Sequence, residues 1–259
     1  MPTHNNTSLT NAIRNYWNEH IHDLKIAKNP VGSAEFFQEL ETYRFNKLHY
    51  LPQVLDFAAY KNQSLLEIGC GIGIDLTQFA KAGAIVTGVD LSETAVRLAQ
   101  QNFKQRGLTA DFHVMNGEDL QFDDNVFDVI YAHGVLQYTA DPQQMVSELT
   151  RVLRPGGRAI LMVYNTYSWL FVLSKLMKVE LEHEDAPLIR TFSIKEFKRM
   201  LQPFDRVQIF PERFPVPSQL HHGLKAALYN RLFVGAFNAI PRSWVRPFGW
   251  HLMAFAQKS

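Results

Sequence analysis

The chain has very little cysteine and almost no net charge. Only one of its 259 residues, Cys70, is a cysteine, so no internal disulfide can form and a reducing compartment, the cytoplasm, is expected. Its 26 lysines and arginines are balanced by 25 acidic residues, which gives a net charge of +1. A balanced charge provides no electrostatic basis for binding RNA or DNA, so no nucleic-acid partner is expected.

Long apolar runs are also missing. The first nine residues are polar and lack the apolar core of a secretory signal. The most apolar stretch, Trp169 to Met177, is too short to cross a bilayer and is interrupted by Ser174 and Lys175. No transmembrane segment is predicted, and the whole chain, residues 1–259, is expected to form one decorated domain.

Hydrophobic periodicity divides the chain into a core and added pieces. Residues 1–60 have apolar residues at helical spacing and predict a helical N-terminal lid. In residues 61–164 short apolar runs alternate with amphipathic stretches, which predicts βαβ units and a parallel sheet. Residues 165–192 and 211–249 are aromatic insertions that we expect to cap the substrate side. Between them, Ser193 and Glu196 have the spacing of a helix-capping box.

This pattern predicts seven strands and three core helices. The expected strands are Leu65 to Ile68, Ile85 to Val89, Asp111 to Val114, Val126 to Tyr131, Arg158 to Tyr164, Val207 to Phe210 and His251 to Gln257. The expected core helices are Asp75 to Lys81, Glu93 to Gln105 and Pro142 to Leu153. A turn at Pro155-Gly156-Gly157 is expected to separate the last of these helices from the fifth strand.

The most informative segment is a glycine-rich turn, with Gly69, Gly71 and Gly73, between the first strand and its helix. Such a turn lets a ligand approach the backbone, and the helix N-terminus attracts anionic groups. About 20 residues on, Asp90 can accept both hydrogens of a ribose diol, and Leu91 offers an apolar face to a base. The third glycine comes one residue too early for a dinucleotide-binding G-x-G-x-x-G turn, and the lysine of an ATP-binding P-loop is missing.

Four ordered blocks between residues 64 and 164 resemble those of class I S-adenosylmethionine-dependent methyltransferases, in the small-molecule group that includes ubiquinone and menaquinone biosynthesis enzymes. They are Leu65 to Asp75, Val86 to Ala99, Val114 to Ile130 and Val135 to Val163. The resemblance implies an α/β, Rossmann-like fold with a seven-stranded sheet, mostly parallel with an antiparallel last strand. It also implies S-adenosyl-L-methionine as cofactor and a small molecule as methyl acceptor.

The resemblance also implies which parts of the chain hold the cofactor. Residues of the glycine turn would shape the pocket for the methionine part, and Asp90 would bind the ribose. Asn116 stands where the family usually has Asp beside the adenine, and its amide oxygen can serve as the acceptor there. With the lid, the expected cofactor-binding residues are Tyr43, Arg44, Glu67, Gly69, Gly71, Gly73, Asp90, Leu91, Asn116, Gly117, Glu118, Ala132 and His133.

Little catalytic machinery is required, because the sulfonium methyl group is already activated and transfer needs mainly a positioned acceptor and a dry site. If the acceptor is a hydroxyl or an acidic C–H, a base would help. His133 is the first candidate, and Tyr138 and Tyr164 are expected near it. The family often has two histidines where Gln137 and Tyr138 stand, so the base of those relatives is not carried over.

Several polar residues outside the core have two interpretations. Arg44 either pairs with the methionine carboxylate when the lid closes or forms a surface ion pair with Glu41. The run at residues 183–185, His-Glu-Asp, is expected to be a polar cap loop and not a metal site. His221 and His222 are expected to be solvated loop residues rather than acceptor-facing ones.

Three functions remain open. The first is methyl transfer to an O, N or C atom of an apolar or aromatic small molecule, as the aromatic residues of the lid and caps indicate. Those residues are Tyr16, Trp17, Tyr43, Trp169, Phe171, Phe210, Phe214, Tyr229, Phe233, Phe237, Trp244 and Phe248. The second is methylation of a quinone or prenyl lipid, with peripheral contact to a membrane through basic and aromatic residues near the C-terminus. The third is a non-catalytic cofactor-binding partner of another protein.

Overall fold

One mixed sheet runs through the centre of the computed structural model, which describes residues 4–177, 183–217, 227 and 229–259. Its strands are β1 (Ser64–Ile68), β2 (Ile85–Asp90), β3 (Asp111–Val114), β4 (Phe127–His133), β5 (Leu153–Tyr164), β6 (Gln208–Glu212) and β7 (His251–Gln257). They lie in the order β3-β2-β1-β4-β5-β7-β6. The first five are parallel, and β7 is antiparallel to both of its neighbours. The predicted α/β sheet with an antiparallel last strand is confirmed.

Helices cover both faces of this sheet. They are α1 (His4–Glu19), α2 (Ala34–Lys47), α3 (Leu51–Val54), α4 (Ile74–Lys81), α5 (Glu93–Gln105), α6 (Pro142–Val152), α7 (Trp169–Met177) and α8 (Ile194–Met200). Shorter helical segments follow at Leu24–Ile26, Phe57–Tyr60, Tyr229–Phe233, Val234–Ala239, Arg242–Val245 and Arg246–Phe248. Within the described ranges, no helix is both long and apolar enough to cross a membrane.

The central strands are apolar on both faces, because helices cover the sheet on both sides. Successive side chains of a strand point to opposite faces, so Leu65 and Tyr131 join the core under α3 and α4, whereas Leu66 and Ile130 join the core under α6 and α8. All four are fully buried. This packing fixes the ends of β1, β2 and β4 along one edge of the sheet.

Side chains at the helix starts define where the helices begin. Ser92 accepts a hydrogen bond from the backbone N–H of Ala95 at the start of α5. The predicted capping box at Ser193 and Glu196 is confirmed, since each side chain accepts a bond from the other residue's backbone N–H.

Most predicted boundaries agree with the structure, and β3, α5 and β7 agree at both ends. The largest difference is at β5, which begins at Leu153 and not at Arg158. Leu153 already pairs with Phe127 of β4, and the register becomes irregular before Arg158 pairs with Val129. Gly156 keeps the positive φ expected of a turn, at 77°. The turn residues therefore form an irregular part of the strand and do not precede it.

Candidate active site

A deep cleft opens at the carboxyl ends of β1, β2 and β4. Ligands of open α/β sheets bind at this edge, where the strand order reverses. The cleft has a volume of about 220 Å³, and one side of it is lined by Ile13 and Trp17 of α1 and by His20, which follows that helix. The hydroxyl of Ser92 donates to the carbonyl of Trp17 over 3.0 Å, which ties this lid helix to the end of β2.

The glycine turn forms the floor of the cleft. Gly69 and Gly71 have φ values of 65° and 52°, in the left-handed region. A Cβ at Gly69 would lie 2.4 Å from a methyl group of Val135, so only glycine fits there without a shift. A Cβ at Gly71 would meet no protein atom within 4 Å, because this position faces the open cleft. Gly73 lies farther back and begins α4.

Asp90 is fixed at the edge of the cleft by backbone donors. The N–H of Gly71 donates to one carboxylate oxygen and the N–H of Ser92 donates to the other, each over 2.9 Å. Burial raises the pKa of Asp90, and these backbone hydrogen bonds oppose the rise. A carboxylate can accept about four hydrogen bonds, so acceptor sites remain for a ligand diol.

The expected adenine side of the cleft is lined by Leu91, Asn116 and Gly117. The side-chain oxygen of Asn116 accepts from the backbone N–H of Glu118 over 3.1 Å, which shapes the turn after β3. Glu118 itself does not line the cleft. Its carboxylate accepts from the backbone N–H of Ala140 over 2.7 Å and orders the loop before α6. Glu118 thus supports the adjacent loop, and its contact with the cofactor stays a prediction.

The two lid residues lie in different places. Tyr43 lines a shallow outer groove with Lys47 over its ring, and its contact with the cofactor stays a prediction. Arg44 lines the cleft. The expected alternative for Arg44, an ion pair with Glu41, is wrong, because Arg44 pairs with Asp75, whereas Glu41 pairs with Arg106 over 2.6 Å.

Beneath the cleft lies a buried group of charges. Arg44 donates to both carboxylate oxygens of Asp75, and the hydroxyl of Tyr131 donates to one of them over 2.8 Å. Burial would raise the pKa of Asp75, but the charge and hydrogen bonds of Arg44 hold it below the usual range. Burial and the charge of Asp75 raise the pKa of Glu67 well above normal. Within the described part of the chain, Glu67 Oε2 has no hydrogen-bond donor.

His133 is not isolated. Its Nε2 lies 3.2 Å from the hydroxyl of Tyr50, whose oxygen lies 2.6 Å from Nδ1 of His251. On the other side of that ring, Nη1 of Arg213 is 3.0 Å from Nε2 of His251. Burial and the charge of Arg44 lower the pKa of His133 to about 3. At neutral pH the imidazole is therefore uncharged and binds a proton weakly, which counts against its expected role as a base.

Sequence reasoning missed Tyr50, Arg213 and His251. His251 pairs with Tyr164 across β5 and β7, and this pairing brings it to the cleft from the far end of the chain. The chain around these three residues carries no motif. The only available signal was that a polar residue begins a strand that is otherwise apolar, as His251 does in β7.

The two candidate tyrosines are brought together at the mouth of the cleft. The hydroxyl of Tyr138 donates to that of Tyr164 over 3.4 Å. Trp17 packs edge-on against Tyr138 at 5.1 Å between ring centroids, and Trp250 stacks on Tyr164 at 4.4 Å. Ala132 is buried in β4 beneath the cleft, and His133 lines it.

Most of the aromatic residues of the C-terminal cap do not reach the cleft. Trp169, Phe233 and Phe237 pack against one another with ring centroids about 6 Å apart. Of the twelve aromatic residues expected to line the pocket, Trp17 alone does so in the described part of the chain. The aromatic residues of the cap therefore pack mainly against one another and form a small separate core. His221 and His222 lie outside the described residues.

The polar loop after α7 holds the lid in place. The hydroxyl of Tyr16 donates to Asp185 over 2.8 Å and lies 3.0 Å from Nδ1 of His183. Nε2 of His183 is 2.9 Å from Nδ1 of His22. These residues link α1 to the loop, as expected for a polar cap.

Comparison with known proteins agrees with this geometry. Residues 66–161 match a family model described as a methyltransferase domain. These residues, fewer than half of the chain, are therefore similar to a methyltransferase domain. The matched segment contains the glycine turn, Asp90, Asn116 and His133, which line the cleft, and the resemblance seen in the sequence is confirmed.

Curated relatives of this domain are ubiquinone biosynthesis O-methyltransferases. The one from Coxiella burnetii is 31% identical over 137 residues, which are 53% of this chain and 56% of the relative. The one from Aromatoleum aromaticum is 33% identical over 130 residues, 48% of this chain and 56% of the relative. The chain thus spans about half the length of the curated relatives it matches.

Solved structures share the fold across almost the whole chain. Magnesium protoporphyrin IX methyltransferase from Synechocystis PCC 6803 aligns with a TM-score of 0.61 and 17% identity, covering 97% of this chain and 100% of that one. The cyclase SpnF aligns with a TM-score of 0.56 and 18% identity, covering 96% and 92%. At such identities the likeness concerns the fold, and a cyclase on the same fold leaves the reaction to be argued from the site.

Proposed function

We propose that the protein transfers the methyl group of S-adenosyl-L-methionine to a small apolar or aromatic acceptor. The observation that carries this proposal is the carboxylate of Asp90, which lines the cleft and is held by the N–H groups of Gly71 and Ser92 at the end of β2. In this arrangement Asp90 binds the ribose hydroxyls of the cofactor.

The cleft residues fit this cofactor at each of its parts. Leu91 and Asn116 take the adenine, and the open space above Gly71 admits the sugar and the chain beyond it. Arg44, fixed by Asp75 in the cleft wall, supplies positive charge for the methionine carboxylate.

Glu67 extends this fit below the cleft floor. Its buried Oε2 could accept a hydrogen bond from the methionine ammonium, either directly or through a water molecule. Glu67 therefore belongs with the binding residues although it does not line the cleft.

The protein itself orients the acceptor and excludes water from the site. The bound cofactor supplies an activated methyl group, so the protein has mainly to orient the acceptor. Trp17, Tyr138 and Tyr164 form an aromatic mouth on which a flat acceptor would stack. The lid helix α1, tied down through Tyr16 and Ser92, keeps the site dry.

Cofactor binding is tested with Asp90→Ala. We expect calorimetric titration with S-adenosylhomocysteine to detect binding by the natural protein and none by the variant, because the ribose loses its carboxylate acceptor. Asp111→Ala, an exposed aspartate at the start of β3, is the matched control and should bind normally. Retained micromolar affinity in Asp90→Ala would contradict the proposal. Methyl transfer is then tested with labelled S-adenosylmethionine and a metabolite panel, read by mass spectrometry.

A second candidate function is methylation of a quinone or prenyl lipid at a membrane surface. The names of the curated relatives favour it, and so does one exposed apolar patch near the C-terminus. In that patch Trp244 is 74% exposed, and Ile240 and Phe248 are 41% and 47% exposed. Apolar side chains of this kind can enter the interface of a bilayer.

Vesicle flotation separates the two candidates. If the acceptor is a membrane lipid, the protein should float with anionic phospholipid vesicles, and Trp244→Ser should reduce the floating fraction several-fold. Tyr167→Ser is the control, because Tyr167 is similarly exposed, at 65%, but lies outside this patch. Absence of flotation of the natural protein would remove the lipid candidate and leave a water-soluble acceptor.

A further inference from the structure

Arg213 occupies one wall of the cleft in an unusual backbone conformation. It follows β6 with a φ of 59°, in the left-handed region that residues with a side chain rarely adopt. Its carbonyl accepts from the indole N–H of Trp169 over 2.9 Å and from the backbone N–H of Trp250 over 3.3 Å. Such strain is often kept where it positions a functional group. Here it places a guanidinium at the cleft.

Among the described residues, no carboxylate forms an ion pair with Arg213. The other cleft cations have partners, since Arg44 pairs with Asp75 and Lys47 pairs with Asp23 over 2.7 Å. Arg213 donates to the neutral ring of His251, and it has no ion pair with a carboxylate of the described residues. A guanidinium left in this state is suited to bind an anionic oxygen, which its planar fork fits well.

The hydrogen bonds around His251 have a fixed direction. A guanidinium only donates, so Nε2 of His251 accepts from Arg213 and the ring proton is on Nδ1. That N–H faces the oxygen of Tyr50 over 2.6 Å. By the same argument Nδ1 of His133 accepts from Arg44 over 3.4 Å, so the ring proton of His133 is on Nε2, which lies 3.2 Å from the Tyr50 oxygen. Burial and the charge of Arg213 lower the pKa of His251 well below normal. Both rings therefore stay neutral and bind protons weakly.

These neutral rings restrict the acceptor chemistry. A base whose conjugate acid has a pKa of about 3, as His133 has, takes a proton poorly from a neutral phenol with a pKa near 10. An acceptor that arrives already ionised needs no such base. Its negative charge would also meet the unpaired guanidinium in the same cleft.

We infer that the acceptor carries an oxygen that is anionic at neutral pH, in a carboxylate or an acidic phenol or enol, and that Arg213, positioned by His251, binds this oxygen. The inference rests on the proposed methyl transfer and names the class of its substrate. Arg213 is then the residue that selects the acceptor, while Asp90 holds the cofactor. Neutral aromatic compounds of the same shape should bind weakly.

The test uses the full chain with S-adenosylhomocysteine bound and matched probe pairs that differ in charge. The pairs are 3,4-dihydroxybenzoate with 3,4-dihydroxybenzamide, 2-naphthoate with 2-naphthamide, and 4-nitrophenol with 4-methylphenol. By calorimetry, the ionised member of at least one pair should bind ten times more tightly than its neutral partner. Arg213→Gln should lower that affinity at least tenfold, and Arg213→Lys should restore part of it. The nitrophenol pair distinguishes a phenolate from a carboxylate.

Two controls make the outcome specific. Arg199→Gln, at an exposed position of α8, should leave every affinity unchanged. Arg213→Gln should still bind S-adenosylhomocysteine, which shows that its domain is intact. The inference is wrong if S-adenosylhomocysteine binds normally but the natural protein prefers no ionised probe. It is also wrong if Arg213→Gln keeps the preference for the ionised probe. In both cases the methyltransferase proposal stands. If Asp90→Ala also retains the cofactor, the proposed function itself fails.

Discussion

Replacing Arg44 by methionine should reveal how strongly the floor of the cleft depends on one ion pair. The side chain of Asp75 is 1% exposed, and after the substitution its carboxylate would retain the hydroxyl of Tyr131 but no cation. Breaking a buried pair in this way costs about 3–5 kcal/mol. At about 2–4 °C per kcal/mol for a chain of this size, the melting temperature should fall by about 6–20 °C.

The cost should come from the uncompensated carboxylate and not from lost packing. Adding Asp75→Asn to Arg44→Met should therefore recover at least half of the lost melting temperature in differential scanning calorimetry. Arg154→Met is the matched control, because Arg154 pairs with Asp128 at the surface, where such a pair contributes about 0–1 kcal/mol. A loss in Arg44→Met no larger than in Arg154→Met would refute the reasoning.

The same variant makes a prediction about pH. In the natural protein the folded pKa of Asp75 is depressed, so its stabilising contribution is complete above the unfolded pKa and is lost as pH falls through the folded pKa. Without Arg44, burial raises the folded pKa of Asp75, and the variant becomes relatively more stable as the carboxylate is protonated. The difference in melting temperature between the two proteins should narrow from pH 7 to pH 4. A constant difference would contradict this assignment of charge.

Three smaller perturbations test the glycine turn, a helix cap and the lid. Gly69→Ala should lower the free energy of unfolding by about 1–3 kcal/mol more than Gly107→Ala in urea melts, because both have φ of 65° but only the first Cβ meets another side chain. Ser193→Ala should cost about 1 kcal/mol in the same assay, and a loss under 0.3 kcal/mol, by that order-of-magnitude estimate, would mean that the capping box is unimportant. Tyr16→Phe should speed amide exchange in α1 several-fold, whereas Tyr167→Phe should not, and equal exchange would show that the polar loop does not hold the lid.

Parts of the site that lie close together in sequence could be predicted from it. The position of Asp90 relative to Gly71 follows from two consecutive parallel strands, whose ends meet at one edge of the sheet. Sequence proximity was less informative for Glu118 and Tyr43. They adjoin cleft residues in the chain, but the carboxylate of Glu118 binds the loop before α6 and Tyr43 lines an outer groove.

The other half of the site depends on pairings between distant residues. Tyr50 and His251 are 201 positions apart, and Arg213 reaches His251 only because the edge strand β6 pairs with β7. No periodicity encodes such a contact. It depends on how loops and strand ends pack, and on which conformation each side chain takes there.

The sequence by itself determined the class of fold and the positions of its core strands along the chain, and it predicted the place of the cofactor, since these depend on hydrophobic period, glycine spacing and the meeting of adjacent strand ends. Only the tertiary structure decided which charges are neutralised. It buried Arg44 against Asp75, kept His133 neutral among Tyr50 and His251, and left Arg213 without a carboxylate partner among the described residues. Electrostatic character depends on burial and on distances through space, and neither is a property of the sequence order.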